Sequence, residues 1–229
     1  MNSSSKRFNG NIKNKKNLNK VKSVYSFWGN FPALYDAQDF ITFMGRADFI
    51  RKRAVEKLRL QKGDRVLEVA CGTGRNFPHL IRAIGKKGYL IGFDYTREML
   101  DSASLLCKQK GWKNVKLVQG DAAELKTKEK DFDGVLSVLG ISAIPDWEKA
   151  LRRCKSILRP GGILSVCDAR LFKGTFEFLN PLVKIVYSNL AAWDPSKNIP
   201  DKMRGLFGNV DVQEFNFGTF FIATSVKKR

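Results

Sequence analysis

The residues best placed to do chemistry lie in Glu68-Val69-Ala70-Cys71-Gly72-Thr73-Gly74-Arg75-Asn76, a glycine-rich turn between an apolar run and an amphipathic stretch. Gly72 and Gly74 let the backbone turn tightly and approach a ligand where no Cβ fits. A helix opening after them offers free N–H groups and a positive dipole end, which suit a carboxylate. Asp94 follows about twenty residues on, at the end of the next apolar run, where a carboxylate can accept both hydroxyls of a ribose. A third marker, Gln119-Gly120-Asp121-Ala122-Ala123, closes the run after that. A dinucleotide fingerprint starting at Gly72 requires Gly or Ala where Phe77 stands, so the turn does not read as one.

No base or metal ligand set stands out. The single histidine, His79, falls about one turn past the glycines and reads as structural. Cys71, Cys107, Cys154 and Cys167 are widely spaced without a CxxC pair, so no zinc site is expected and the thiols read as reduced and mostly buried. Tyr25 and Tyr35 stand in an aromatic segment (Val24–Tyr35) ahead of the first helix.

Those residues need a scaffold of strands and helices in alternation. The pattern predicts a helix over Phe40–Leu58, with apolar positions three or four apart. It then predicts strands over Arg65–Ala70, Gly88–Phe93, Val115–Gln119, Asp133–Leu139 and Gly162–Asp168. Helices are expected over Asn76–Ile84, Arg97–Lys110, Trp147–Leu158 and near Pro181–Leu190. The last two strands, Val210–Phe217 and Thr219–Val226, hinge at Gly218 as an antiparallel hairpin. The expected fold is α/β: a seven-stranded, doubly wound Rossmann-like sheet, mostly parallel, with helices on both faces. Strand ends at the carboxyl edge then carry Gly72, Asp94 and Asp121 side by side.

The 229 residues suit one domain. Residues 1–23 form a basic stretch rich in Asn and Ser, expected as a flexible tail, and 24–229 the folded domain, with 24–60 as its lid and first helix. No apolar run reaches the roughly 18 residues that span a bilayer, and no secretory signal is evident, so a cytoplasmic protein is expected. The 41 basic against 22 acidic residues give a net +19, which favours anionic partners, either nucleic acid or an acidic membrane surface.

At this point the chain resembles the class I S-adenosylmethionine (SAM) dependent methyltransferases. Glu68-x-x-Cys71-Gly72-Thr73-Gly74 is similar to their first motif, Gly92-Phe93-Asp94 to the second and Gly120-Asp121-Ala122 to the third. Asp133-Gly134-Val135 resembles the fourth, and Leu158-Arg159-Pro160-Gly161-Gly162 the turn before strand five. The resemblance implies that Gly72, Thr73 and Gly74 line the methionine end of SAM, with Glu68 in the same motif. It implies that Asp94 holds the ribose, and that Tyr95 and Met99 flank the adenine. Asp121 then receives the adenine amino group, Ala122 offers a backbone N–H, and Leu139 sits near the sulfonium. The resemblance also implies that the segment Val24–Tyr35 lies across the pocket, which makes Tyr25 and Tyr35 the candidate catalytic side chains. The product is S-adenosylhomocysteine, and no metal is implied.

The acceptor is less constrained. The segment Leu139–Pro145 lacks the Asn/Asp-Pro-Pro-aromatic element of exocyclic-amine nucleic-acid enzymes, and no Pro-Cys nucleophile is present. The C-terminal part, from Leu179 to Val210, resembles the bacterial phospholipid N-methyltransferases, within a branch that also acts on quinones and sterols. A phospholipid headgroup amine is therefore the favoured expectation, with peripheral contact to an anionic membrane. A quinone or other small acceptor is the alternative. RNA methylation and a non-catalytic SAM-binding role stay open behind them.

Overall fold

Short β-branched and leucine-rich runs broken by glycine turns become the central strands of the computed structural model, which describes residues 3–125 and 129–228. The strands are β1 (Arg65–Val69), β2 (Tyr89–Asp94), β3 (Val115–Gln119), β4 (Phe132–Val138), β5 (Leu158–Ala169), β6 (Asp211–Phe215) and β7 (Phe220–Val226). They form one seven-stranded sheet in the order β3-β2-β1-β4-β5-β7-β6. β1 to β5 are parallel, and β7 runs antiparallel to both β5 and β6. The expected α/β sheet with its antiparallel terminal hairpin is therefore present.

Alternation along the strands divides the core in two. Val66, Leu90 and Ile222 join one apolar cluster, while their neighbours Leu67, Ile91 and Phe221 join the other. The first cluster packs under α3 (Ala47–Glu56), α4 (Phe77–Ile84) and α5 (Arg97–Lys110); the second packs under α6 (Trp147–Ile157) and α8 (Ile199–Phe207). Burying both faces is what parallel strands require. Phe77 shows how the first motif departs from a dinucleotide turn. Its ring fills space left by two glycines, since a Cβ on Gly74 or on Gly92 would meet it at 2.8 Å or 2.6 Å.

The order reverses direction between β1 and β4, so a crevice opens beyond their carboxyl ends. Ala70 and Leu139, the residues just past these two strands, take left-handed φ angles of 54° and 55°. For non-glycine residues this conformation is costly and tends to mark functional sites.

Four expectations change. The helix expected over Phe40–Leu58 is two, α2 (Pro32–Thr42) and α3, because Met44 and Gly45 turn left-handed between them. α8 was not anticipated, although Asn198 caps its first turn, Pro200 sits inside that turn and Gly208 ends it. β5 begins four residues earlier than expected, at Leu158. The stretch expected as a flexible tail is helical from Ser3, within α1 (Ser3–Asn30). Its far end is docked: Tyr25 OH donates to Ala191 O at 3.0 Å and Trp28 Nε1 to Leu190 O at 2.7 Å, next to α7 (Asn180–Leu190). A docked turn removes the nucleation cost, and helix propagates from it.

Candidate active site

Two cavities meet at the crevice. The first is floored by the carboxyl ends of β1, β2 and β4 and by the turn after β3, and Gly72, Asp94, Tyr95, Asp121, Ala122 and Leu139 line it. Asp94 is its buried carboxylate. One oxygen accepts from Gly72 N at 2.8 Å and the other from Thr96 N at 2.9 Å. Burial pushes its pKa up, and the backbone donors oppose that shift. Asp121 Oδ1 accepts from Ala123 N at 2.8 Å, so this side chain caps the short turn after β3 as well as facing the cavity.

Other residues expected here lie behind the wall rather than on it. Met99 is fully buried, with its sulfur 4.0 Å from where a Cβ on Gly72 would stand, so it backs the glycine turn and does not line the cavity. Gly74 is turned toward Phe77, and Thr73 is half-buried without lining the cavity. Glu68 is wholly buried; Oε1 accepts from Asn76 Nδ2, while Oε2 has no partner among the described residues. Burial raises its pKa from 4.5 to about 8, so the carboxyl is mainly protonated at neutral pH. His79 lies 3.0 Å from Asp48, in keeping with a structural role.

The second cavity, about 330 Å³, is mainly apolar and is bounded by α2, α7 and the end of α1. Tyr25, Tyr35 and Leu139 belong to the walls of both cavities, which makes them the boundary across which a group could pass. Burial raises the pKa of both phenols, so near neutrality they stay protonated and act as donors rather than as bases. Tyr35 is also held from beneath, its ring centroid 3.9 Å from the Arg75 guanidinium. Arg75 in turn pairs with Asp36 at 2.6 Å and Asp39 at 3.0 Å, tying α2 to the glycine turn. All four cysteines are buried and free, as expected.

The floor of the first cavity has the chemistry of a SAM site: a buried carboxylate for a ribose, a Cβ-free turn and an aromatic wall at Tyr95. With Leu18 and Val21 of α1 against it, however, its volume is about 70 Å³. Small-molecule sites usually exceed roughly 300 Å³, so Leu18 and Val21 narrow this pocket below the size of a nucleoside ligand. No local pattern points to Leu18 or Val21, because contacts between a terminal helix and a distant strand edge leave no periodic mark in the chain. Among the described residues no metal-binding cluster of His, Cys, Asp or Glu is present.

Residues 66–162 match the methyltransferase domain family. The chain is 29% identical to the demethylmenaquinone methyltransferase of Staphylococcus carnosus (strain TM300), over 95% of this chain and 97% of that protein. It is 32% identical to the demethylmenaquinone methyltransferase of Geobacillus stearothermophilus, over 71% and 74% respectively. The crystal structure of a SAM dependent methyltransferase from Aquifex aeolicus has the same fold, with a TM-score of 0.55, 18% identity, and coverage of 77% of this chain and 88% of that one.

Proposed function

The chain belongs to the SAM-dependent methyltransferases, and from that premise we propose that it methylates a quinone-type ring carried on a lipid tail. The observation that carries this reading is the apolar 330 Å³ chamber sharing Tyr25, Tyr35 and Leu139 with the cofactor pocket. Relatives named for demethylmenaquinone support it. They favour the quinone alternative over the phospholipid headgroup amine expected from the sequence. Chamber chemistry agrees: an ammonium group needs a free anion, and Asp39, the carboxylate on this wall, is already engaged by Arg51 at 2.7 Å and Arg75 at 3.0 Å.

When bound, SAM supplies an electrophilic methyl group on a sulfonium. Asp94 would hold its ribose, Gly72 would admit its methionine end, and Tyr95, Asp121 and Ala122 would surround its adenine. Tyr25, Tyr35 and Leu139 would align the acceptor at the shared wall and exclude water. Methylation at a ring carbon would leave S-adenosylhomocysteine and would release one ring proton to solvent. Alignment can supply much of the acceleration without a strong base.

Peripheral contact with an anionic membrane belongs to the same reading. Ile41, Met44 and Leu182 line the chamber yet are 70%, 50% and 64% exposed, and the exposed Lys184 stands beside them on α7. A mouth of this kind suits a lipid surface, where each engaged basic residue contributes about 1 kcal/mol. One experiment tests both parts: labelled SAM offered with demethylmenaquinol in phosphatidylglycerol or phosphatidylcholine vesicles that also contain phosphatidylethanolamine. Label is expected in the quinone fraction, faster on the anionic vesicles, and slower as salt rises. Label in phosphatidylethanolamine alone would restore the headgroup reading, and equal rates on both vesicles would remove the membrane part.

A further inference from the structure

The acceptor chamber is apolar apart from a few polar side chains, and most of those are already spent. Tyr25 OH, Trp28 Nε1 and Trp193 Nε1 each donate to a backbone carbonyl, of Ala191, Leu190 and Ala169. The Ser142 hydroxyl donates to Asp168 and the Thr219 hydroxyl to Asn216 O. Arg170 is occupied by Gly218 O and Glu214, and Asp39 by two arginines.

What remains forms a line. Gln38 Nε2 donates to Thr42 Oγ1 at 2.7 Å, and Thr42 Oγ1 in turn donates to Tyr187 OH at 3.4 Å. All three residues line the chamber and are half-buried, and α2 supplies two while α7 supplies the third. The Thr42 proton is thereby used, but the Gln38 carbonyl oxygen and the Tyr187 proton have no partner among the described residues. The Tyr35 hydroxyl is in the same position, with a ring contact but no hydrogen bond among the described residues, and it stands at the boundary with the cofactor pocket. An apolar cavity with a few unspent polar atoms is how a site fixes the orientation of a largely hydrophobic ligand.

We propose that Gln38 and Tyr187, bridged by Thr42, form the subsite that grips the ring oxygen farther from the methyl donor, while Tyr35 meets the nearer one. The Gln38 carbonyl accepts from a ring hydroxyl and Tyr187 donates to the same oxygen. A ring bearing two opposed oxygens then lies with its reactive carbon toward Leu139, and a one-oxygen ring slides. This inference rests on the quinone reading above and assigns its specificity to two helices.

The test uses the full chain with demethylmenaquinol and with a naphthol of the same tail that lacks the second oxygen. Tyr187→Phe and Gln38→Met should each raise the KM for the two-oxygen acceptor roughly three- to tenfold, the loss expected for one hydrogen bond. Their KM for the naphthol should equal that of the wild type, and S-adenosylhomocysteine affinity should not move. Thr42→Val, which loosens the bridge but keeps both groups, should fall between. An unchanged acceptor KM in both variants overturns the subsite, as does an equal rise for both acceptors or a loss of S-adenosylhomocysteine binding, either of which marks a structural role. Failure of the wild type to methylate any quinol overturns the quinone reading itself, and this inference with it.

Discussion

The two cavities are built from different materials. The first cavity rests on strand ends whose positions are set by sheet hydrogen bonds, with Gly72, Asp94 and Asp121 held by registers such as Val69 opposite Phe93. The second cavity is walled by helices α1, α2 and α7, and α7 has no buried residue of its own. Side-chain bonds such as Tyr25 to Ala191 and Trp28 to Leu190, with the Trp28–Tyr35 ring contact, clip these helices together. A strand-built pocket resists change because moving one end costs several backbone bonds. A helix-built chamber opens when a few contacts fail, which suits a bulky lipid acceptor that must enter and leave.

Truncation should break that contrast most sharply. Removing residues 1–22 takes away Leu18 and Val21 from the mouth of the cofactor pocket but leaves Tyr25 and Trp28. That protein should keep turnover and bind S-adenosylhomocysteine at least as tightly as the full chain. Removing residues 1–30 also deletes Tyr25 and Trp28, and turnover should fall by about a thousandfold or more, since alignment of the reactants supplies most of the rate. S-adenosylhomocysteine binding should survive, because the strand-end floor is intact. Normal turnover by the shorter protein would show that α1 is not part of the chamber.

Asp94→Ala probes the other side. Losing a charge-assisted pair of hydrogen bonds to a ribose should weaken S-adenosylhomocysteine binding roughly ten- to hundredfold by calorimetry. Gly72 N and Thr96 N also lose their acceptor, so circular dichroism should accompany the titration to restrict it to folded protein. Unchanged affinity would remove Asp94 from the site.

An effect on stability alone concerns the buried chain that joins the regions: Glu68 to Asn76, Asn76 to Arg51, and Arg51 to Asp39 on the chamber wall. The pKa of Glu68 rises on folding from 4.5 to about 8, so the folded state keeps a proton that the unfolded state releases. Its contribution to stability is full below pH 4.5 and declines as pH rises toward about 8, by about 1.4 kcal/mol per unit. Glu68→Gln carries no such proton and can still accept from Asn76. The melting temperature of this variant minus that of the wild type should be near zero at pH 4.5 and widen up to pH 8. A difference that stays constant with pH would mean that Glu68 is not protonated on folding.

Much of the cofactor side was readable from residues alone. Glycine turns, apolar strands and acidic strand ends are local patterns, and Phe77 in place of a small residue already argued against a dinucleotide. Met99 lies behind the glycine turn and not on the cavity wall, and helical spacing does not say which side of such a turn a side chain backs. The split at Met44-Gly45 hid inside a plausible helical period, and only the left-handed φ angles reveal it.

Local sequence was enough for the α/β alternation, the crevice at the carboxyl edge of the sheet and the SAM-dependent methyltransferase family. These depend on periodicity, turn chemistry and short motifs, all encoded within a few residues of one another. Tertiary structure alone decided that Tyr25 and Tyr35 stand between two cavities, that Leu18 and Val21 narrow one of them, and that Gln38 and Tyr187 meet in the other. Tyr187 lies 145 residues from Thr42, its bonding partner. Such contacts arise from how α1, α2 and α7 pack over the sheet edge, and packing between distant helices leaves no periodic trace in either helix.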